Sequence, residues 1–308
     1  MKQQILQEIN NEIKFLLGRN FSFAFTKTKS VPTYEDDGFT FERYDVKKGK
    51  TITTCVLHID IRKSTQININ HPPENVAKLY TAFVKTMIWI ADEHNGFVRN
   101  IIGDRLMIIF PTDNCFVNAV ECAISMNTVS QEIINYYFKH DEFSCGIGID
   151  YGEMYVLKTG IAKTGKERTN YKNLVWLGNP ANIASKLTDI ANKDTKYDLF
   201  NVTFQCYSPM IKKLLTITHK LSLEDFHLKV DFTNSPYKYL GYEVLKIEKQ
   251  SKVVKTLPIL MTEEVYKNYI LFRTKEYWKL QTDTNVQEYE GKIYGGNIVW
   301  TSAKNIKK

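Results

Sequence analysis

Between Thr53 and Phe110 the chain runs TTCVLHIDIRKST, then a helical stretch, then GFVRNIIGDRLMIIF, an order that leaves few ways to fold. The first piece is an apolar run that ends on one acid, Asp60. The last reads as two strands, FVRNII and RLMIIF, joined by Gly103-Asp104, a glycine and acid pair that signals a tight hairpin. If the runs lie side by side in one sheet, Asp60 at a strand end and Asp104 at a hairpin tip converge, and two carboxylates share one edge. A lone acid ending a strand, or a turn acid chosen for its geometry, would be ordinary. Asp60, however, follows largely apolar positions, where an unpaired charge is costly. Two carboxylates within hydrogen-bonding range repel unless a cation neutralises them. Hard oxygens with no soft ligand nearby favour Mg²⁺ or Mn²⁺, the ions that carry nucleotide phosphates.

Composition narrows the class. A chain of 308 residues can bury a sizeable core, as one large domain with extensions or two modest ones. Hydrophobic residues at 43% and aromatics at 13% place it among folded soluble proteins. Its apolar runs fall short of the ~18 residues of a membrane span, and MKQQILQEINNEIKF lacks a signal-peptide core, so the expectation is a cytoplasmic protein with no membrane partner. The five cysteines are scattered, mostly within apolar runs and without zinc spacing, which suits reduced core thiols. The net charge of +7 is spread along the chain, with no basic stripe interleaved with aromatics. It reads as mild attraction for an anionic ligand, not as a nucleic-acid surface.

Periodicity predicts the elements. Ile5, Ile9, Ile13, Leu16 and Leu17 mark an amphipathic helix ended near Gly18, free to pack on the domain or on a second subunit. Pro72-Pro73 opens a helix carrying Val76, Leu79, Tyr80, Phe83, Met87 and Ile90, stopped by Asn95-Gly96. A further helix starts near Asp113. SCGIGIDYGEMYVLKTGI then predicts a strand pair turning at Tyr151-Gly152-Glu153, residues 161 to 173 an exposed polar arm, and LVWLGNPANIASKL a strand leading into a helix with Pro180 in its first turn. Asn182 and Lys186, four apart, share a face of that helix near its positive end, either as a solvated polar face or as an anion site. VTFQCYSPMIKKLL predicts a strand and a short helix, EKQSKVVK a linker, and Gly295-Gly296 a hairpin. The order strand, helix, hairpin, helix, hairpin is an α+β, ferredoxin-like arrangement, an antiparallel-rich sheet with helices on one face. The expected organisation is an N-terminal helix and extension over 1–50, a catalytic domain over 51–248 and an accessory segment over 249–308.

These motifs resemble the class III nucleotidyl cyclases over roughly residues 51 to 248. VLHIDIRKST is similar to the family's first metal motif, IIGDRLMIIF to its second, GIGIDYGEMYV to its substrate-side strands, and LGNPANIASKL to its dimer-partner motif. Any one is weak alone, but four in the family's order are specific. The resemblance implies that Asp60, Asp104 and the main-chain carbonyl of Ile61 hold two divalent cations, Mn²⁺ or Mg²⁺. It makes Asn182 the residue that orients the ribose of a nucleoside triphosphate. It also implies a homodimer whose sites are shared between subunits. Lys186 falls where the family has a transition-state arginine, and a lysine keeps the charge but loses the bidentate fork. Arg62 and Arg105 are candidates to supplement it, unless they are plain surface charges.

A second departure concerns the base. The family's purine cyclases use a lysine or glutamate four residues before the second metal acid and a polar residue three before the partner-motif glycine. Here those positions are Asn100 and Val175. An amide offers both a donor and an acceptor, which matches the edge of uracil or cytosine equally. With this pattern the chain resembles the pyrimidine cyclases of bacterial Pycsar anti-phage systems. The resemblance implies cyclic UMP or cyclic CMP made from UTP or CTP, read by a separate cyclic-nucleotide-responsive effector. Rival readings are an adenylate or guanylate cyclase with an atypical base pocket, and an inactive nucleotide-binding signalling module. A dead module usually loses a metal carboxylate, and both are present here.

Overall fold

The central strand β2 runs from Val46 to Ile61, and its unbroken burial from Thr54 to Ile59 marks a strand covered on both faces. Cys55, Leu57, Ile59 and Ile61 point into one core, whereas Ile52 and Val56 point into another. This is the period of two that a pleated strand imposes. The computed structural model describes residues 3–39, 46–138, 143–160, 172–208, 213–222, 242–282, 284 and 286–305.

The main sheet has the order β11 (Lys279–Leu280), β12 (Ile293–Gly296), β10 (Ile259–Thr262), β5 (Cys145–Gly160), β2, β4 (Arg105–Ile109) and β3 (Phe97–Ile102). In addition β1 (Ser22–Thr28) runs parallel to the start of β2, and β6 (Lys172–Leu177) antiparallel to the end of β5. Apart from β1 with β2 and β10 with β5, the described pairs are antiparallel, as expected. Leu79, Phe83, Met87 and Ala91 of α3 (Pro73–Glu93) and the buried stripe of α4 (Cys115–Thr128) close the core on one face. The other face is not bare. There α6 (Asn179–Ile190) buries Ala184 with Val56, Ile109 and Met154, so helices cover both faces instead of one.

Several expectations for the second half are corrected. Tyr151-Gly152-Glu153 is no turn, because β5 is one strand of 16 residues and these three lie opposite Cys55, Thr54 and Thr53 of β2. Gly152 serves a close approach instead, since a Cβ there would come 2.7 Å from Pro180. The expected pair is thus a single strand, whose partner β6 comes from the following LVWL stretch, and most of the exposed arm expected before that stretch lies outside the described residues. Residues 213–215, assigned to a short helix, begin β8 (Lys213–Ser222), where Leu214 and Leu215 pair with Tyr207 and Cys206 of β7 (Asp194–Ser208). EKQSKVVK is not a linker but the end of β9 (Tyr242–Lys255). Gly295 and Gly296 sit inside β12, where Leu260 and Trp278 crowd them.

The chain divides into two compact units, residues 1–192 with 257–308, and residues 193–256. The second is a three-stranded antiparallel sheet in the order β8, β7, β9. Thr256 Oγ1 hydrogen-bonds Lys193 N and O at its two ends, each at 3.1 Å. The first unit therefore receives β10 after this excursion, with Ile259 in register with Ile147 of β5, followed by α7 (Glu263–Tyr269). The N-terminal helix α1 (Gln3–Leu16) forms as the periodicity requires, yet Ile5, Ile9, Ile13 and Leu16 remain exposed.

Candidate active site

Register brings the two acids together. Asp60 pairs with Arg105 at the start of β4, so Asp104, one residue earlier in the β3–β4 turn, falls beside it. Gly103 makes that turn possible by taking φ +61°, a backbone angle that costs glycine nothing. Burial, and then the charge of Asp60, push the Asp104 carboxyl up, and the Ser64 hydroxyl at the start of α2 (Ser64–Asn70) works the other way by hydrogen bonding. Register thus sets two carboxyl groups side by side in a half-buried corner.

Such a pair calls for a cation. Ile61 directs its side chain into the core, which leaves only its main chain for any ion. Among the described residues no cluster of three or more His, Cys, Asp or Glu side chains is placed to hold a metal. Two carboxylates with a carbonyl make a sparse, all-oxygen donor set. Mg²⁺-like ions accept such a set when substrate phosphates and water complete the shell. The residues present fit that group.

Two guanidinium groups flank Asp60. Arg105 donates to Asp60 Oδ2 at 2.8 Å, to Ser185 Oγ at 2.8 Å and to the Asp189 carboxylate. Burial opposes the charge on Arg105, but the bonds to Asp60 and Asp189 hold its pKa above the ordinary arginine value. Arg62 is buried, with Nη1 3.9 Å from Asp60 Oδ2 and Nη2 donating to the Thr188 carbonyl. Thr188 in turn donates to the His58 carbonyl at 3.1 Å. These bonds tie α6 to the metal end of β2.

The other site residues stand apart from the acids. Asn182 is exposed on α6. Lys186 Nζ donates to Glu288 Oε2 at 2.6 Å and to the Gln287 carbonyl at 3.1 Å, both in the C-terminal segment. Asn100 is exposed on β3 opposite Met107, just past a bulge, and Val175 is half-buried on β6 opposite Leu157. None of the contacts described for these four residues reaches Asp60 or Asp104. Sequence reasoning missed Ser64, Ser185, Asp189 and Glu288. Ser185 and Asp189 share the spacing of four that singled out Asn182 and Lys186, but only the packing of α6 on β5 and β2 brings them to their partner Arg105.

Residues 46–220 match the model of the adenylate and guanylate cyclase catalytic domain. The chain belongs to this class III cyclase family. Members act on nucleoside triphosphates and normally use divalent metal ions. The chain is 26% identical over 235 residues to a uridylate cyclase of Gulbenkiania mobilis, covering 72% of this chain and 86% of that protein. A uridylate cyclase of Burkholderia cepacia is 26% identical over 216 residues, covering 66% and 85%. Among solved structures, the adenylyl cyclase CyaB from P. aeruginosa superposes with a TM-score of 0.50 at 15% identity, over 80% of this chain and 94% of that one. The guanylyl cyclase Cya2 gives a TM-score of 0.50 at 12% identity, over 82% and 95%. At such identities these structures show the cyclase fold alone. Among the described residues no helix is long and apolar enough to cross a membrane.

Proposed function

We propose that this cyclase converts a pyrimidine ribonucleoside triphosphate, UTP ahead of CTP, to its 3′,5′-cyclic monophosphate and pyrophosphate. The observation that carries the reaction is the strand register that sets Asp104 beside Asp60 within a class III cyclase fold. The two uridylate cyclases among its relatives, and the amide and aliphatic side chains at Asn100 and Val175, support the pyrimidine base.

Asp60, Asp104 and the Ile61 carbonyl would hold two divalent cations, Mn²⁺ or Mg²⁺. When bound, these lower the pKa of the ribose 3′-hydroxyl and neutralise the triphosphate. The 3′-hydroxyl gives its proton to solvent, and the bond between the 3′-oxygen and the α-phosphorus forms as the bond to pyrophosphate breaks. Asn182 orients the ribose and Lys186 offers its ammonium to the α-phosphate, as a point charge without the fork of an arginine. Asn100 presents its amide to the pyrimidine edge while Val175 lines the base pocket.

The acids belong to one subunit of a homodimer and Asn182 with Lys186 to the other, so each site is shared. The engagement of Lys186 by Gln287 and Glu288 instead of the acids supports this arrangement, as does the uncovered apolar stripe of α1. The cyclic product acts in the cytoplasm as a second messenger for a separate effector in anti-phage defence. The test is a four-way incubation with ATP, GTP, UTP and CTP, each with Mn²⁺ or Mg²⁺, and product identification by mass. Cyclic UMP or cyclic CMP is expected to dominate. Predominant conversion of ATP or GTP would return the chain to the purine cyclases.

A further inference from the structure

The metal end of the site carries more charge than a two-carboxylate reading requires. Beside Asp104, the carboxylates of Asp60 and Asp189 are met by the two guanidinium groups of Arg62 and Arg105. The two arginines are not equivalent. Arg62 has a side chain only 5% exposed, it is anchored on the Thr188 carbonyl, and it stands 3.9 Å from Asp60. Arg105 has a side chain 26% exposed and bridges Asp60 at 2.8 Å to Asp189, itself 52% exposed on α6. One cation is fixed beneath the site. The other lies at its rim with a second acceptor beside it.

We propose that Arg105 is the internal counter-cation of the metal site. It neutralises Asp60 while no metal is bound, and a divalent ion must take Asp60 from it, with Asp189 and Ser185 receiving the released guanidinium. This rests on the reading that Asp60 and Asp104 hold the metal. A guanidinium and a divalent ion cannot share one carboxylate oxygen without strong repulsion, and the pair is only partly solvent-screened. The nucleotide-free protein therefore binds metal weakly. The ion enters chiefly with the triphosphate, whose own negative charge lowers the net repulsion from Arg105. Arg105 is thus a positioning residue that couples metal uptake to nucleotide, not a phosphate ligand by default.

The experiment is titration of the nucleotide-free protein with Mn²⁺, following free Mn²⁺ by electron paramagnetic resonance at low salt. Arg105→Gln is expected to tighten Mn²⁺ binding by about ten-fold, the order expected for removing one neighbouring positive charge. Arg105→Lys keeps the charge and should stay within a few-fold of wild type. Asp189→Asn deprives Arg105 of its second acceptor and should weaken binding several-fold, but should have little effect on top of Arg105→Gln, because Asp189 acts through Arg105. Unchanged or weaker binding in Arg105→Gln, with a native melting curve, would overturn the proposal. So would an Asp189→Asn effect of equal size in both backgrounds, which would mean that Asp189 acts on the ion directly. Asp60→Asn separates the two levels of the argument. If Asp60→Asn abolishes Mn²⁺ binding while Arg105→Gln changes nothing, only the counter-cation role fails. If Asp60→Asn binds Mn²⁺ as wild type does, the metal reading fails and this proposal with it.

Discussion

The two halves of the candidate site are built by different means. Asp60 and Asp104 are fixed by strand register and a two-residue turn, backed by Arg62 beneath and Arg105 at the side. Asn182 and Lys186 stand four residues apart on one helix, where Lys186 is held by the Gln287 carbonyl and by an ion pair to Glu288, whose side chain is 71% exposed. The first half is over-determined by the sheet and tolerates little movement. The second depends on contacts that water can replace. The contrast separates residues whose loss should disturb the protein itself from residues whose loss should disturb only the reaction.

The largest expected effect comes from the acids. Asp60→Ala and Asp104→Ala should each lower turnover by roughly a thousand-fold or more, because on the proposed mechanism each removes a charge that holds the cations. Their effects on stability should diverge. Asp104→Ala relieves a carboxyl that burial and Asp60 already disfavour, so melting should be unchanged or slightly raised. Asp60→Ala leaves buried Arg62 without its carboxylate neighbour and should cost on the order of 1–3 kcal/mol. Thermal unfolding of both variants beside their activity checks this, and equal melting shifts would mean that Arg62 does not depend on Asp60.

Complementation addresses the division between the halves. Asp60→Ala and Asn182→Ala should each be inactive alone. Mixed under subunit exchange, they form heterodimers in which one site carries both lesions and the other neither. Half of randomly exchanged dimers are mixed and each has one intact site of two, so activity should return to roughly a quarter of wild type. A mixture that stays inactive, while exchange with wild-type chains is demonstrated, would place both halves of the site within one chain.

How much of this was legible in the sequence follows the same division. The convergence of Asp60 and Asp104 could be read because each signal is local, an apolar run ending on an acid and a glycine turn between two strands. The Asp60–Arg105–Asp189 bridge could not, because Arg105 and Asp189 are 84 positions apart and meet only through the packing of α6. Tyr151-Gly152-Glu153 misled because glycine signals both turns and close packing, and only the approach of Pro180 distinguishes them. EKQSKVVK read as a linker because the lysines of an exposed strand resemble those of a solvated tether. The C-terminal return of β10 beside β5 is a parallel pairing between residues more than 100 positions apart, which no local pattern announces.

The smallest expected effect tests the weaker half through the Lys186–Glu288 contact. Because the Glu288 side chain is largely exposed, the ion pair should contribute no more than about 1 kcal/mol, and Glu288→Gln should leave melting nearly unchanged. Its effect on the reaction should be distinct from that of Lys186→Ala. On the proposed role of Lys186, removing the ammonium deletes a contact to the α-phosphate in the transition state, so kcat should fall more than KM rises. Removing the Glu288 charge frees the same ammonium from a competing carboxylate. KM should then fall by roughly two- to five-fold with kcat unchanged, the signature of a change in uniform binding. Steady-state kinetics of the two variants side by side decides the matter. If Glu288→Gln instead lowers kcat as far as Lys186→Ala does, the C-terminal segment aims Lys186 at the substrate, and the second half of the site is as firmly built as the first.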